Sequence, residues 1–214
     1  IEKAGLTPSI IDVDAFALEN IYEVLNKDSL GKMVMLVNIG ASTTTISIVD
    51  NGISKVVRDL YTAGNSLTRA IQNNMQVSTE KAEEIKKQYG LSGGGEEESL
   101  DSIGESEDIA SQVYNHLYPV VRELNSEIQR SIDYFSGQLT NKEINVEKII
   151  LTGGTALLKS LPKLISSELR MPVEVFKPLE NAAASAVKTE DIDIDSPALA
   201  VVAGLALRRV GDQK

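Results

Sequence analysis

Two short segments of this chain carry the residue types that hold anionic oxygens. In Asn38-Ile39-Gly40-Ala41-Ser42-Thr43-Thr44 a glycine is followed by hydroxyl side chains, and in Thr152-Gly153-Gly154-Thr155 two glycines are flanked by threonines. Glycine lets backbone N–H groups come close to a phosphate, and Ser or Thr hydroxyls add donors, so either turn can seat an anion. Each also has a plainer reading: a hairpin whose glycine serves only the turn, and an ordinary turn from strand to helix. A third candidate is Ala82-Glu83-Glu84-Ile85-Lys86, where Glu83 and Lys86 stand three apart on one helix face. They form either a surface ion pair worth roughly 0.3 kcal/mol or a contact for sugar hydroxyls.

Other residues invite chemistry and do not support it. His116, the only histidine, lies one position off an apolar helical stripe and reads as structural or surface. Tyr114, Tyr118, Tyr134 and Phe135 fit helix packing better than a base-stacking platform. Asp191, Asp193 and Asp195 alternate without the Gly or Glu of a calcium loop, so a solvated turn is expected. With no cysteine in 214 residues, disulfides, thiolate zinc sites and cysteine nucleophiles drop out together. No catalytic residue and no set of metal ligands is assigned.

The elements that must position the turns follow from periodicity. Residues Ser9–Val13 read as a short strand and Ala15–Leu25 as a helix. Met33–Ile39, Thr43–Val49 and Ile53–Leu60 are rich in Val, Ile and Thr; they are linked by Gly40-Ala41-Ser42 and Asp50-Asn51-Gly52, the pattern of an antiparallel meander. Helices are predicted over Leu67–Asn74 and from a Ser78 or Thr79 cap to just before Gly90. A long helix from Asp108 carries Ile109, Val113, Leu117, Val120, Leu124, Ile128, Ile132 and Phe135 at spacings of three and four. Pro119 lies inside it, which predicts a kink or break near Leu117–Pro119. The chain closes with strand Lys148–Leu151, helix Leu157–Leu169, strand Val173–Phe176 and helix Pro197–Arg209. Three antiparallel strands, a helix and a βαβα ending make an α/β, ribonuclease-H-like mixed sheet flanked by helices, with residues 78–140 as a mostly helical insertion.

Composition bounds the function. At 42% hydrophobic and 24% charged residues the chain buries a core, and 21 basic against 31 acidic residues leave a net charge of −10. That balance excludes general attraction to nucleic acid or anionic lipid. No apolar run approaches the ~18 residues that cross a bilayer, and a cytoplasmic setting fits best. Glu96, Glu97, Glu98, Asp101, Glu105, Glu107 and Asp108 follow Gly93-Gly94-Gly95, so 92–108 reads as a flexible, self-repelling loop or as an acidic docking loop. The chain starts at Ile1 rather than Met, and a piece of a longer protein is expected.

Taken in order, these elements resemble the actin-like superfamily, and within it the second half of the type IV pilus assembly PilM family and its relatives, the FtsA cell-division proteins. Nearly the whole chain carries the likeness. Ala4-Gly5-Leu6-Thr7-Pro8 through Asp14-Ala15-Phe16-Ala17-Leu18-Glu19-Asn20 is similar to the stretch that closes the first half. Val37-Asn38-Ile39-Gly40 with Thr43-Thr44-Thr45 is similar to the second phosphate hairpin. Tyr61-Thr62-Ala63-Gly64-Asn65-Ser66-Leu67-Thr68 resembles the entry to the next helix, where relatives usually show Gly-Gly. Ala82–Lys86 resembles the ribose-side helix and Thr152–Thr155 the adenosine loop. Ser196-Pro197-Ala198 with Ala203-Gly204-Leu205-Ala206 is similar to the closing helix.

The resemblance implies ATP with Mg²⁺ as cofactor and nucleotide-binding roles for Asn38, Gly40, Ala41, Ser42, Thr43, Thr44, Gly64, Glu83, Lys86, Gly153, Gly154 and Thr155. It implies that 1–30 is the tail of a first actin-like half, that 31–77 and 141–214 form the ribonuclease-H-like part of the second, and that 78–140 is its inserted subdomain. Only one phosphate hairpin is then present, so ATP binding by these residues alone is expected to be weak or undetectable. Asn38 stands where such proteins usually place an Asp, which predicts slow hydrolysis or none and a nucleotide-responsive scaffold rather than an enzyme. The implied partners are the cytoplasmic tail of a PilN-like membrane protein, gripped chiefly by the first half, and other pilus assembly proteins. The implied location is the inner face of the cytoplasmic membrane, reached through partners without direct insertion, with no nucleic acid bound. Two alternatives stay open. An FtsA-like division protein predicts a C-terminal amphipathic membrane helix, which is not legible after Arg208-Arg209. A small-molecule kinase needs a carboxylate base near the phosphates, and Val37–Val49 contains none.

Overall fold

The run Val34-Met35-Leu36-Val37 is buried on every residue, as expected of a strand covered on both faces. In the computed structural model, which describes residues 2–5, 7–8, 10–26, 32–94, 105–138, 146–180 and 196–209 (for 2, 105–108 and 138 the backbone alone), this run is the heart of β1 (Met33–Ile39). Strands β2 (Thr44–Asp50), β3 (Ile53–Leu60), β4 (Lys148–Thr152) and β5 (Val173–Val175) complete a five-stranded sheet in the order β3-β2-β1-β4-β5. The pairs β1–β2 and β2–β3 are antiparallel, whereas β1–β4 and β4–β5 are parallel. Asn51 and Gly52 both take positive φ between β2 and β3, the conformation of a two-residue hairpin turn.

Alternation along β1 sends side chains to two layers. Met35, Val37 and Ile39 join a core built with α2 (Gly64–Met75), α3 (Thr79–Tyr89), α4 (Glu105–Gln138) and α5 (Leu161–Leu169), whose buried members include Ile71, Ile85, Val113, Leu117, Ile128 and Ile165. Val34 and Leu36 face a smaller core with Leu18, Ile21 and Tyr22 of α1 (Asp14–Leu25) and Ala200 of α6 (Ala200–Ala206). The two helices of that layer touch backbone to backbone: a Cβ on Gly204 would lie 2.0 Å from the Ala17 carbonyl oxygen.

Several expectations are corrected. Residues 10–13 form no strand; Ile11 is 97% exposed, and the segment is held instead by Asp12, which accepts from Arg208 Nε at 2.6 Å. A β pattern needs a neighbouring edge, and none receives it among the described residues. Helix α4 runs through Pro119 without a break. The carbonyl that Pro119 cannot bond belongs to Asn115, which is exposed, and buried residues on both sides of the proline hold the two halves to one core. The helix expected from Leu157 begins at Leu161, after a 3₁₀ turn over Gly154–Leu157 and a left-handed Ser160 with φ 63°. The closing helix is likewise split, with a 3₁₀ turn at Ser196–Leu199 before α6. Ser92–Gly94 form a 3₁₀ turn packed on α4 rather than a flexible lead: Cβ atoms on Gly93 and Gly94 would strike the Ala110 carbonyl and the Tyr114 ring. The rest of the acidic loop through 104 and Asp191, Asp193 and Asp195 lie outside the described residues. Tyr114 and Tyr118 stack at 5.3 Å and Phe135 is buried, whereas Tyr134 is exposed and does not pack.

Candidate functional site

Asn38 pairs with Thr152 in the parallel β1–β4 register, so both glycine turns leave the sheet side by side at the carboxyl ends of their strands. This is the end at which α/β sheets receive ligands. Gly153 fits there only as glycine: at φ 85° and ψ 162°, a Cβ would lie 2.4 Å from the Ile39 carbonyl oxygen and 2.6 Å from Asn38 Oδ1. The turns are tied together where Thr155 Oγ1 donates to the Gly40 carbonyl at 3.0 Å. The start of α2 braces the first turn, with Gly64 N–H on the Gly40 carbonyl at 3.0 Å and Asn65 N–H on the Ala41 carbonyl at 2.7 Å. Asn65 Nδ2 also donates to Ser42 Oγ at 3.1 Å. The Ala41, Ser42, Gly154 and Thr155 amides take no part in these bonds.

Between the turns and α3 opens a cavity of about 510 Å³. It is lined by Gly40 and Ala41 of the first turn, Gly64 and Asn65 of α2, Gly154, Thr155, Leu157 and Leu158 after β4, Glu83, Lys86 and Lys87 of α3, and Ala198. Of the sequence-predicted residues, Asn38, Ser42, Thr43, Thr44 and Gly153 stand outside its lining. Thr44 is buried and its hydroxyl donates to the Thr62 carbonyl at 2.8 Å, while Ser42 receives Asn65 and Gly153 sits against β1. Asn65, Lys87, Leu157, Leu158 and Ala198 were missed. Asn65 and Lys87 each adjoin a predicted residue, but the apolar wall carries no local signal. A larger hollow of about 770 Å³ lies at the other end of the strands, among Ile10, Phe16, Glu19 and the β2–β3 turn. It brings together neither glycine turn, so size alone does not choose the site.

Glu83 and Lys86 are not a surface pair. The Lys86 side chain is only 10% exposed, and its Nζ lies 2.6 Å from Glu83 Oε2. Burial pushes the Glu83 carboxyl up, yet hydrogen bonds from Lys86 and Thr68 and the charges of Lys86 and Lys87 outweigh it and hold the carboxyl below its ordinary value. An ionised acceptor therefore lines the same cavity as a turn rich in backbone amides.

The fold and the cleft together define an actin-like domain. MreB5 of Spiroplasma citri bound to AMPPNP superposes with a TM-score of 0.66 at 19% identity, over 96% of this chain and 60% of that one. Within that class the chain belongs to the type IV pilus assembly protein PilM family, whose model matches residues 1–210. The PilM–PilN type IV pilus biogenesis complex superposes at a TM-score of 0.80 and 28% identity, covering 99% of this chain and 56% of the other. Cell division protein FtsA of Pseudomonas aeruginosa is 28% identical over 186 residues, 78% of this chain and 42% of that protein. FtsA of Bacillus subtilis is 28% identical over 183 residues, 83% and 41% respectively. The chain thus spans less than half the length of these curated relatives.

Proposed function

We propose that this chain is the second, nucleotide-binding half of an actin-like scaffold in the type IV pilus inner-membrane assembly platform. The observation that carries the reading is the single cavity shared by the Gly40 turn, the Gly154–Thr155 turn and Glu83. Its donor set suits ATP: backbone amides beside Gly40 and Thr155 for phosphate oxygens, Leu157, Leu158 and Ala198 for the base, and the Glu83 carboxylate for sugar hydroxyls. Gly40 and Gly64 support the fit, since a Cβ on either would meet backbone oxygens at 3.0–3.1 Å and narrow the cradle. Mg²⁺ would arrive on the phosphates and neutralise their charge.

Asn38 offers an amide where a carboxylate would orient water by charge, so the protein acts through binding rather than turnover. The partner we assign is the cytoplasmic tail of a PilN-like membrane protein, supported by the likeness to the PilM–PilN complex. Membrane association then comes through that partner; among the described residues no helix is long and apolar enough to cross a bilayer. The FtsA relatives favour a division role as the second reading, but the family match over 1–210 weighs for the pilus.

Amide NMR of the chain titrated with Mg·ATP tests the site. Shifts are expected at 40–42, 64–65, 83–87 and 154–158, with millimolar-range affinity because one half of the clasp acts alone, and with no phosphate release. Silence at those positions, or tight stoichiometric binding, overturns the respective part of the reading. Asn38→Asp releasing no more phosphate than the parent chain removes the role given to Asn38.

A further inference from the structure

Helix α3 ends against the loop that leads out of the second glycine turn. Gly90, which closes the helix by donating its N–H to the Lys86 carbonyl at 2.9 Å, has φ 56° and ψ −131°, a conformation that side chains disfavour. There is no room for one either: a Cβ would lie 2.8 Å from Lys159 Cβ and 3.0 Å from the Lys159 backbone nitrogen and oxygen. Two hydrogen bonds cross this contact. Leu91 N–H donates to the Lys159 carbonyl at 3.0 Å, and Lys159 Nζ donates to the Gln88 carbonyl, one of those that a helix end leaves unpaired. Next to Lys159, Ser160 holds φ 63°, a left-handed shape that is costly for a residue other than glycine and lasts only where its surroundings enforce it.

The joint adjoins the cavity on one side and the start of α4 on the other. Lys86 and Lys87, shortly before it on α3, and Leu158, immediately before Lys159, all line the cavity. Leu91 is 3% exposed and leads into the Ser92–Gly94 turn, where a Cβ on Gly93 would lie 2.4 Å from the Ala110 carbonyl oxygen and one on Gly94 2.0 Å from the Tyr114 ring. We propose that the contact of Gly90 and Leu91 with Lys159 is a latch that couples filling of the cavity to the anchoring of residues 91–94 on α4. A ligand that touches Leu158 together with Lys86 or Lys87 bridges the two sides of the latch, so it binds the closed form better than the open one and shifts the population toward it. The coupling is reciprocal: opening the latch weakens the ligand by up to the factor by which the ligand tightens the latch. The nucleotide reading above supplies the ligand; the latch itself rests on contacts of Gly90, Leu91 and Lys159, none of which lines the cavity.

Amide hydrogen exchange with and without saturating Mg·ATP tests the latch directly, because the Leu91 N–H is itself one of its bonds. In the parent chain, exchange at 91–94 is expected to slow about fivefold or more, the lower end of ordinary couplings between sites, with amide shifts extending to 109–114. Lys159→Met keeps the stem and loses the bond to Gln88, and Gly90→Ala forces the contact apart. Either should bring the slowing below about twofold and weaken ATP binding to match, while shifts at 40–42 and 64–65 persist at higher ATP. Lys159→Arg, which can donate to the same carbonyl, should restore the response. If Gly90→Ala does not fold, Lys159→Met carries the test. No ATP-dependent shift anywhere in the parent chain removes the nucleotide reading and the coupling with it. Shifts at 40–42 and 64–65 without slowed exchange at 91–94, or slowing that survives both variants, leave the nucleotide reading standing and overturn the latch.

Discussion

The Gly40 and Gly153 turns leave adjacent strands at the same end of one sheet, yet they are built on different principles. The first closes on itself: Gly40 N–H donates to the Thr43 carbonyl at 3.0 Å, and α2 braces it from outside. Its glycine is tight but not conformationally obligatory, since only the Thr43 carbonyl oxygen, at 3.0 Å, opposes a Cβ. The second turn depends on a backbone shape that side chains disfavour, with Gly153 pressed onto the end of β1. Its neighbour Gly154 is the reverse: a Cβ there would meet nothing nearer than Ala198 Cβ at 3.9 Å. Within one Gly-Gly pair, therefore, the first residue holds the turns together and the second keeps the cavity open.

Gly153→Ala is the largest expected break in that contrast. Glycine-only dihedrals and a clash with the Ile39 carbonyl should cost together about 2–4 kcal/mol of stability, read by urea denaturation. A loss under about 1 kcal/mol would mean that the two turns part easily and that their closeness is not built in.

Gly64→Ala comes next and tests the brace. A Cβ there would lie 2.6 Å from Thr155 Oγ1 and 3.1 Å from the Gly40 carbonyl oxygen. The hydroxyl must turn away and give up its bond to Gly40, worth about 1 kcal/mol, while alanine's helix propensity returns part of that. The combination with Thr155→Ala is the sharper measurement. With the hydroxyl already gone, Gly64→Ala should cost at least ~0.5 kcal/mol less than it does alone; strict additivity would show that the turns do not communicate through Thr155.

Much of this contrast could be read from sequence, and the unread part has a common cause. Strand β1 ends at Ile39 just before Gly40 and β3 begins at Ile53 just after Asn51-Gly52, because those signals are local. The Ser78 cap on α3 was legible for the same reason; its oxygen accepts from Lys81 N–H at 3.3 Å. Ser160 was not. Its left-handed φ stands beside a tertiary contact, the Lys159 carbonyl accepting from Leu91 N–H at 3.0 Å just before α5 starts, and no local signal announces such a contact. Lys86 failed in the same way: its i,i+3 spacing suggested a surface pair, and only the approach of Thr68 and Gly64 from another helix buries it. Residues 10–13 carried a strand pattern with no edge to receive it. Spacing reports what a segment can become, while partners distant in sequence decide what it does.

Gly154→Ala closes the series with the smallest effect on the fold and the most direct bearing on the cleft. Since 3.9 Å to Ala198 Cβ is ordinary contact and the residue opens a 3₁₀ turn without needing positive φ, stability should change by less than about 0.5 kcal/mol. The added methyl stands in the lining of the cavity proposed to take a nucleotide. Denaturation curves that coincide with the parent's, together with ATP-dependent amide shifts reduced several-fold, would separate the two glycines by role. If Gly154→Ala instead unfolds the turn as Gly153→Ala does, the pair acts as one structural unit and the division of roles between the two glycines is lost.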